Sequence, residues 1–196
     1  MSSLPHQAAG VAGVVLAAGD SRRFGSPKQL AQLNGRTLLE HVIASATGAR
    51  LYPIVAVVPA WFEPAKTKEG SILWVHNPHP ERGMSESLKL GFAALPNSVD
   101  AGVILLGDQP TLPASSIAAV LARRGEQPIV AGHSSGHTTP PVLVERSQFG
   151  IVRQATGDRG LNEVLLRHSE LVATVELPSA ADVDTPAQLK ALQGSG

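Results

Sequence analysis

An apolar run that stops abruptly in a loop of small and basic residues constrains the fold more than any other feature. The run, Val11–Leu16, is continuous and rich in valine, which is typical of a strand buried on both faces of a parallel sheet. The loop carries two glycines, two arginines and a lysine, at Gly19, Gly25, Arg22, Arg23 and Lys28. Glycine permits turns that aim backbone N–H groups at an anion, and the basic side chains supply countercharge. We therefore predict a phosphate-binding loop at the carboxyl end of the first strand, where open α/β sheets bind ligands.

The rest of the chain alternates strand patterns with helix patterns. Further strands are predicted at 54–58, 72–75, 103–106, 129–131, 141–144 and 171–175. Helices are predicted at 38–47, 61–68, 85–95, 113–124, 161–168 and 186–192, and a capping box over 37–40 opens the first of them. Two prolines favour an edge position for the strand at 141–144, and residues 133–139 before it are expected to form a polar turn.

This alternation predicts an α/β fold, a three-layer αβα sandwich around a mostly parallel sheet. Because no linker, internal repeat or low-complexity tract interrupts the pattern, we expect a single domain over residues 11–192. Residues 1–10 are expected to be a flexible leader, and residues 193–196 a flexible tail.

Composition excludes several classes of function. The 196 residues include 16 Lys and Arg against 16 Asp and Glu, so the chain lacks the basic excess of a nucleic-acid-binding surface. Cysteine is absent, which excludes disulfides and thiolate-bound zinc. No apolar run approaches the ~20 residues of a membrane-spanning helix, and the first ten residues lack the pattern of a signal peptide. We expect a soluble, cytoplasmic protein without nucleic-acid or membrane partners.

Acidic residues near two strand ends are candidate metal ligands. Asp108 follows the strand at 103–106, so its carboxylate is expected in the ligand crevice, where Mg²⁺ takes few carboxylates plus phosphate oxygens. A second carboxylate would come from Asp182 or Asp184; we favour Asp184, although alternation along the chain does not decide between them. Each carboxylate also has a purely structural interpretation, because Asp108 can cap the following turn and the segment around Asp184 can cap the last helix through Thr185 or Asp184.

Two further segments carry weaker signals. Asn77 and Gly83 precede a predicted helix and Ser87 lies in its first turn, where hydroxyls and backbone amides can read the edge of a nucleobase. Spacing alone favours ordinary helix capping there instead. His133 and His137 are four residues apart, yet they lie in a Ser/Gly/Thr/Pro stretch and no third ligand has motif spacing, so we do not predict a zinc site.

The loop matches neither of the common phosphate-binding motifs. Gly19 and Gly25 are six residues apart and Gln29 follows Lys28, which excludes a P-loop, and the dinucleotide fingerprint is also absent. Residues 16–28 resemble instead the signature loop of nucleotidyltransferases with a GT-A-like fold. Within that superfamily, the chain resembles the molybdenum cofactor cytidylyltransferase branch through Gly-Asp-Gln-Pro at 107–110, Asp-Val-Asp-Thr-Pro at 182–186 and Gly-Met-Ser-Glu-Ser-Leu at 83–88.

The resemblance implies which residues meet the nucleotide. The implied nucleotide-binding residues are Leu16, Ala17, Ala18, Gly19, Ser21, Arg23, Lys28, Asn77, Gly83, Ser87 and Asp108. Arg23, Lys28 and Asp108 would also carry catalysis, with Mg²⁺ held by Asp108 and by Asp184 or Asp182. Ala18 before Gly19 points to CTP, because the guanylyltransferases that the loop also resembles have glycine in place of this alanine.

The second substrate is implied by looser matches. His137 lies in a segment that resembles the family's Gly-His-Pro, but two threonines intervene before the proline. Asp158 and Arg159 resemble the central pair of Gly-Asp-Lys-Gly, with arginine in place of lysine. By resemblance the acceptor that these residues bind is molybdopterin carrying molybdenum, and the products are its cytosine dinucleotide and pyrophosphate. An apo-molybdoenzyme or its chaperone would be a further partner.

Three other functions remain open at this point. The same fold could serve a molybdenum cofactor guanylyltransferase or a sugar-phosphate nucleotidyltransferase. A non-catalytic protein that binds the cofactor and delivers it is the third, although the intact Arg23, Lys28 and Asp108 speak against lost catalysis.

Overall fold

The computed structural model describes residues 10–21, 23–64, 72–157 and 160–194. The strands are β1 Val11–Leu16, β2 Gln32–Leu33, β3 Arg36–Thr37, β4 Ile54–Pro59, β5 Ile72–Asn77, β6 Ala101–Leu106, β7 Ile129–Ser134, β8 His137–Glu145 and β9 Val172–Glu176. The α-helices are α1 Leu38–Gly48, α2 Met84–Ala93, α3 Ala114–Ala122, α4 Phe149–Val152, α5 Gly160–Arg167 and α6 Pro186–Gln193. The predicted leader, apart from Gly10, and residues 195–196 of the predicted tail lie outside the described residues.

Seven of these strands form one sheet in the order β5-β4-β1-β6-β8-β7-β9. β1 is the third strand in this order and pairs in parallel with β4 and β6, while β8 runs antiparallel to both of its neighbours. The parallel strands therefore end at one edge of the sheet, and the loop that follows β1 lies at that edge.

Alternation along β1 explains the three layers. Val11 and Val15 belong to the apolar cluster on one face of the sheet, whereas Ala12, Val14 and Leu16 belong to the cluster on the other face. Helices α1 and α3 cover the first face with buried aliphatic side chains, and α2, α4 and α5 cover the second. The predicted αβα sandwich with a mostly parallel sheet is confirmed.

Strand β8 corrects the predicted edge strand. It lies inside the sheet, where Val142 pairs with Ile104 of β6 and with Ala131 of β7. The two prolines fall at an irregularity, because the register with β7 steps from Ala131 opposite Val142 to Gly132 opposite Thr139. Residues 140 and 141 have no ladder partner at this bulge, so an internal strand can accommodate prolines that lack an N–H donor.

Two local predictions also differ from the structure. Residues 133–139 do not form a free turn, since β7 runs to Ser134 and β8 begins at His137, which leaves a two-residue hairpin turn. Residues 61–64 of the predicted helix at 61–68 are not helical, and the remainder of that segment lies outside the described residues. Among the residues that the structure describes, no helix is long and apolar enough to cross a membrane.

Candidate active site

A cleft of about 620 Å³ opens at the carboxyl edge of β1 and β6. Its walls are the loop after β1, the end of β6, the start of α2 and the segment before α6. The predicted site residues that line it are Leu16, Ala17, Ala18, Gly19, Ser21, Arg23, Lys28, Gly83, Ser87, Asp108, Asp182 and Asp184. Most of the residues assigned to the nucleotide and to the metal are thus brought together from four separate parts of the chain.

Close packing at the strand ends sets the floor of this cleft. Gly107 precedes Asp108, and a Cβ atom at this position would lie 2.7 Å from the Cβ atom of Ala17. The backbone of β6 therefore approaches the loop after β1 more closely than a side chain would allow. The segment before α6 also holds Asp108, because the Asp108 carbonyl oxygen accepts a 2.9 Å hydrogen bond from the N–H of buried Val183.

The loop after β1 is held in a tight turn. Ser21 adopts a left-handed conformation with φ of 56°, and its carbonyl oxygen accepts hydrogen bonds from the N–H groups of Phe24 and Gly25 at 2.9 and 3.1 Å. The conformation is uncommon for a residue with a Cβ atom. The two hydrogen bonds that the Ser21 carbonyl accepts stabilise this left-handed conformation.

Lys28 joins the two carboxylates of the site. Its ammonium group donates to Asp108 Oδ2 at 2.6 Å and to Asp184 Oδ1 at 3.1 Å. Arg23 lies 2.9 Å from the other oxygen of Asp184, and its side chain is 74% exposed, which leaves the guanidinium accessible to a ligand. Two cations and two carboxylates therefore converge at the rim of the cleft.

The carboxylates hold Lys28 in its charged form. Burial by itself lowers the pKa of Lys28, but the charges and hydrogen bonds of Asp108 and Asp184 outweigh it, so the pKa is raised above its ordinary value. Lys28 consequently stays protonated throughout the neutral range and provides a fixed positive charge beside the loop.

Asp182 takes a different partner. Its Oδ1 accepts a 2.9 Å hydrogen bond from Gln109 Nε2, and it makes no contact with Lys28 like that of Asp184. Burial raises the pKa of Asp182, and the neighbouring carboxylates Asp108 and Asp184 add to that rise, while the Gln109 hydrogen bond opposes it. Of the two candidates for the second carboxylate, Asp184 is the one that shares a cation with Asp108.

The donor set fits a hard divalent cation. Asp108 and Asp184 lie close enough together to contact the same Lys28 ammonium, and Mg²⁺ or Mn²⁺ in a nucleotide site is bound by one or two carboxylates together with phosphate oxygens. Within the described residues, no group of three or more acidic or histidine side chains forms a complete cation cage.

Asn77 and Ser87, two of the residues predicted to contact the nucleotide, are hydrogen-bonded to each other. Asn77 is fully buried, donates to Ser87 Oγ at 3.0 Å, and accepts from the N–H of His79 at 2.8 Å. Gly83, with φ of 84°, turns the chain into α2 beside them. Asn77 does not line the main cleft; it lines a neighbouring cleft on the other side of the loop, together with half-exposed Trp61.

The residues assigned to the acceptor are not gathered in the cleft. His137 begins β8 at the same edge of the sheet but is not part of the cleft wall. Asp158, Arg159 and also Arg22 lie outside the described residues.

Two glutamines of the site were not predicted from the sequence. Gln29 is buried in the cleft wall and donates to the backbone of the loop, and Gln109 is buried and holds Asp182. Each directly follows a charged residue that was predicted, at Lys28 and Asp108. The position of each glutamine next to a predicted site residue was the sequence signal available for it. A neutral amide side chain carries no charge, so the sequence did not indicate that it would bond within the site.

Comparison with known proteins places the chain among nucleotide-transferring enzymes. A family model described as a MobA-like NTP transferase domain matches residues 13–172. The purine catabolism protein PucB of Bacillus subtilis is 29% identical, with 89% of this chain and 91% of that protein aligned. A 2-C-methyl-D-erythritol 4-phosphate cytidylyltransferase of Streptomyces avermitilis is 32% identical over 56% of this chain and 48% of its own. A probable molybdenum cofactor guanylyltransferase of Bacillus cereus is 53% identical over 38 residues, 19% of each chain.

Solved structures share the fold across almost the whole chain. A homologue of Mycobacterium tuberculosis Rv0371c from Mycobacterium sp. strain JC1 superposes with a TM-score of 0.78 at 30% identity, covering 95% of this chain and 96% of that one. Rv0371c of M. tuberculosis H37Rv, solved in complex with manganese, superposes with a TM-score of 0.75 at 24% identity, covering 95% and 99%.

Proposed function

Because this chain belongs to the MobA-like NTP transferase family, we propose that it transfers CMP from CTP to a molybdopterin-type cofactor and releases pyrophosphate. The observation that carries the proposal is the placement of Lys28 between Asp108 and Asp184 at the rim of the cleft. This arrangement puts a fixed cation and two metal-binding carboxylates beside a loop suited to phosphates.

The proposed reaction is a displacement at the α-phosphorus of CTP. An oxygen of the acceptor's terminal phosphate forms a bond to the α-phosphorus, the bond from that phosphorus to the bridging oxygen breaks, and pyrophosphate leaves with the electron pair. Such chemistry depends on positioning and on neutralising charge more than on a covalent intermediate. Lys28 and Arg23 provide that neutralisation, and exposed Arg23 can leave Asp184 for a phosphate without any change in the fold.

Asp108 and Asp184 are the residues proposed to hold Mg²⁺. When bound, the ion supplies charge neutralisation across the phosphates and a template for their alignment. Rv0371c, which shares the fold, was solved in complex with manganese, which is consistent with a divalent cation in this fold. Asp182, whose Oδ1 accepts a hydrogen bond from Gln109, lines the cleft beside this pair.

CTP is the proposed nucleotide because Ala18 stands where the guanylyltransferases that the loop also resembles carry glycine. Ala17 and Ala18 are buried, and both line the cleft together with Gly83 and Ser87. A methyl group at Ala18 leaves less room for a purine than glycine would. The similarity to a cytidylyltransferase of Streptomyces avermitilis is consistent with this assignment.

The acceptor is proposed to bind beyond Asp108, toward the β7–β8 hairpin. His137 begins β8 at this edge of the sheet. Asp158 and Arg159, which lie outside the described residues, stay predicted acceptor residues. A molybdopterin-type acceptor accords with the chain's family and with the sequence resemblance on which those residues were assigned.

Guanylyl transfer is the second candidate. The match of 38 residues at 53% identity to a probable molybdenum cofactor guanylyltransferase of Bacillus cereus favours it. The acceptor and the metal site would be unchanged, and only the base would differ.

The experiment that tests the proposal measures pyrophosphate release with each of CTP, GTP, UTP and ATP, with and without molybdopterin cofactor. We expect release that requires both CTP and the cofactor. Release with GTP alone would replace the first candidate by the second. Binding of the cofactor without release from any nucleotide would contradict both and support a delivery protein.

A further inference from the structure

Gln29 is a buried side chain that bonds to several parts of the nucleotide loop, although it carries no charge. Only 3% of its surface is exposed. Its Nε2 donates to the carbonyl oxygen of Ala17 at 2.8 Å and to that of Gly19 at 2.7 Å. Both hydrogens of the carboxamide are thus used on the two carbonyls that flank Ala18.

The other end of the carboxamide reaches the far side of the same loop. The Ser21 hydroxyl lies 3.4 Å from Gln29 Oε1 as a donor, and it accepts a 3.1 Å hydrogen bond from the N–H of Lys28. Gln29 therefore connects the start of the loop, the left-handed turn at Ser21 and the backbone beside the catalytic lysine.

This network determines which backbone groups can face a ligand. A carbonyl oxygen carries partial negative charge and repels a phosphate, whereas an N–H group attracts one. In a glycine-rich loop a peptide unit can rotate, so that its carbonyl oxygen faces the ligand in place of its N–H group. The buried carboxamide of Gln29 holds the Ala17 and Gly19 carbonyls toward the protein, so these two peptide units cannot rotate. A phosphate in the cleft would then face backbone N–H groups and Lys28 rather than carbonyl oxygens.

We propose that Gln29 is a positioning residue, one that keeps the Ala17 and Gly19 carbonyls away from the phosphates and so preorganises the loop for a triphosphate. The inference rests on the proposed function, since it takes the loop to be the triphosphate site. It assigns the phosphate selectivity of the loop to a neutral side chain in addition to the basic ones.

The test compares Gln29→Met and Gln29→Glu with the wild-type protein. Met keeps the length but loses both donors, and Glu places a carboxylate against the two carbonyls. Gln32→Met is the matched control, because Gln32 is exposed and lies outside the cleft. For each protein, the dissociation constants of pyrophosphate with Mg²⁺ and of cytidine are measured by calorimetry, with the midpoint of thermal unfolding without ligand.

We expect Gln29→Met to weaken pyrophosphate binding about tenfold, the equivalent of one to two net hydrogen bonds, and Gln29→Glu to weaken it further. Cytidine, which has no phosphate, should lose less affinity, and the control should match the wild type for both ligands. Ser21→Ala removes the hydroxyl from the same network at a less buried position. It should show the same preferential loss of pyrophosphate if a Gln29 variant fails to fold.

Equal losses for pyrophosphate and cytidine would overturn the inference, because Gln29 would then only support the fold. Unchanged pyrophosphate binding in Gln29→Glu, or no pyrophosphate binding by the wild type, would overturn it as well. A wild-type protein that binds pyrophosphate but transfers no nucleotide would contradict the proposed function and leave the comparison of variants intact.

Discussion

Lys28 illustrates how single residues define this site. Its ammonium group contacts Asp108 from the middle of the chain and Asp184 from near its end, and each carboxylate helps to keep it protonated. A triphosphate that enters the cleft brings its own negative charge to the same cation. Each of these side chains can therefore be tested by its effect on nucleotide transfer rather than on folding.

Asp108→Asn should reduce kcat by about 10²–10³-fold, because it removes one charge from the position proposed to hold the cation next to the phosphates. Steady-state rates of pyrophosphate release measure the effect. Asp100→Asn, at the opposite end of β6, is the matched control and should keep wild-type rates. A kcat within twofold of wild type for Asp108→Asn would remove Asp108 from the proposed metal site.

Asp184→Asn should lower kcat roughly tenfold more than Asp182→Asn. The reason is geometric, since Asp184 shares Lys28 with Asp108 whereas Asp182 is bonded to Gln109. Titration of both variants with Mn²⁺ separates the roles, and the weaker apparent manganese affinity is expected for Asp184→Asn. The reverse order would assign the second carboxylate to Asp182.

At the scale of elements, helix α2 must approach the sheet closely to bring Ser87 to the cleft. Gly91 is the contact point, because a Cβ atom there would lie 2.6 Å from Val14 Cγ1 and 3.1 Å from Val57 Cγ2. The side chains of two central strands therefore meet the helix backbone directly, which fixes the start of α2 relative to the nucleotide loop.

Gly91→Ala should destabilise the protein by about 1–3 kcal/mol, since a rigid core must shift to admit the methyl group. Urea unfolding of the nucleotide-free protein measures the change. Gly150→Ala in α4 is the matched control, because a Cβ atom there meets nothing within 4 Å and alanine is the better helix former. Equal stability of the two variants would show that α2 does not rest tightly on β1 and β4.

At the scale of the whole molecule, the fold is that of GT-A-like nucleotidyltransferases and the chain is a nucleotidyltransferase. The family resemblance inferred from the loop and strand-end motifs is confirmed at this level. Four separate segments meet only in the folded state, so a nucleotide that contacts all of them should stabilise the protein as a unit.

CTP with Mg²⁺ should raise the free energy of unfolding by about 2.7 kcal/mol at a free concentration one hundred times its dissociation constant. Thermal unfolding with each nucleotide measures the shift. Removal of the divalent ion with EDTA should reduce it, because the triphosphate would then face Asp108 and Asp184 without a compensating cation. If CTP stabilised the protein equally with EDTA present, nucleotide binding would not depend on a divalent ion at Asp108 and Asp184.

Several features were determined by the sequence alone. The buried strand β1, the loop after it, the capping box that opens α1 and the alternation of strands with helices all depend on residues close together in the chain. Local patterns of this kind follow from side-chain periodicity and hydrogen bonding within a few residues, so they can be predicted from the sequence. The family resemblance depends on the same short segments.

The tertiary structure alone decided how those segments meet. Asp184 rather than Asp182 contacts Lys28, 156 residues away in the chain. The side chain of Val183 is buried and its backbone N–H donates to the Asp108 carbonyl oxygen, and together these fix the directions of the Asp182 and Asp184 side chains. The internal position of β8 is compatible with its prolines because they fall at a bulge, and Gln29 and Gln109 gained partners that no local pattern specifies. The direction of a loop side chain and the order of strands result from packing across the sheet, which a linear pattern does not contain.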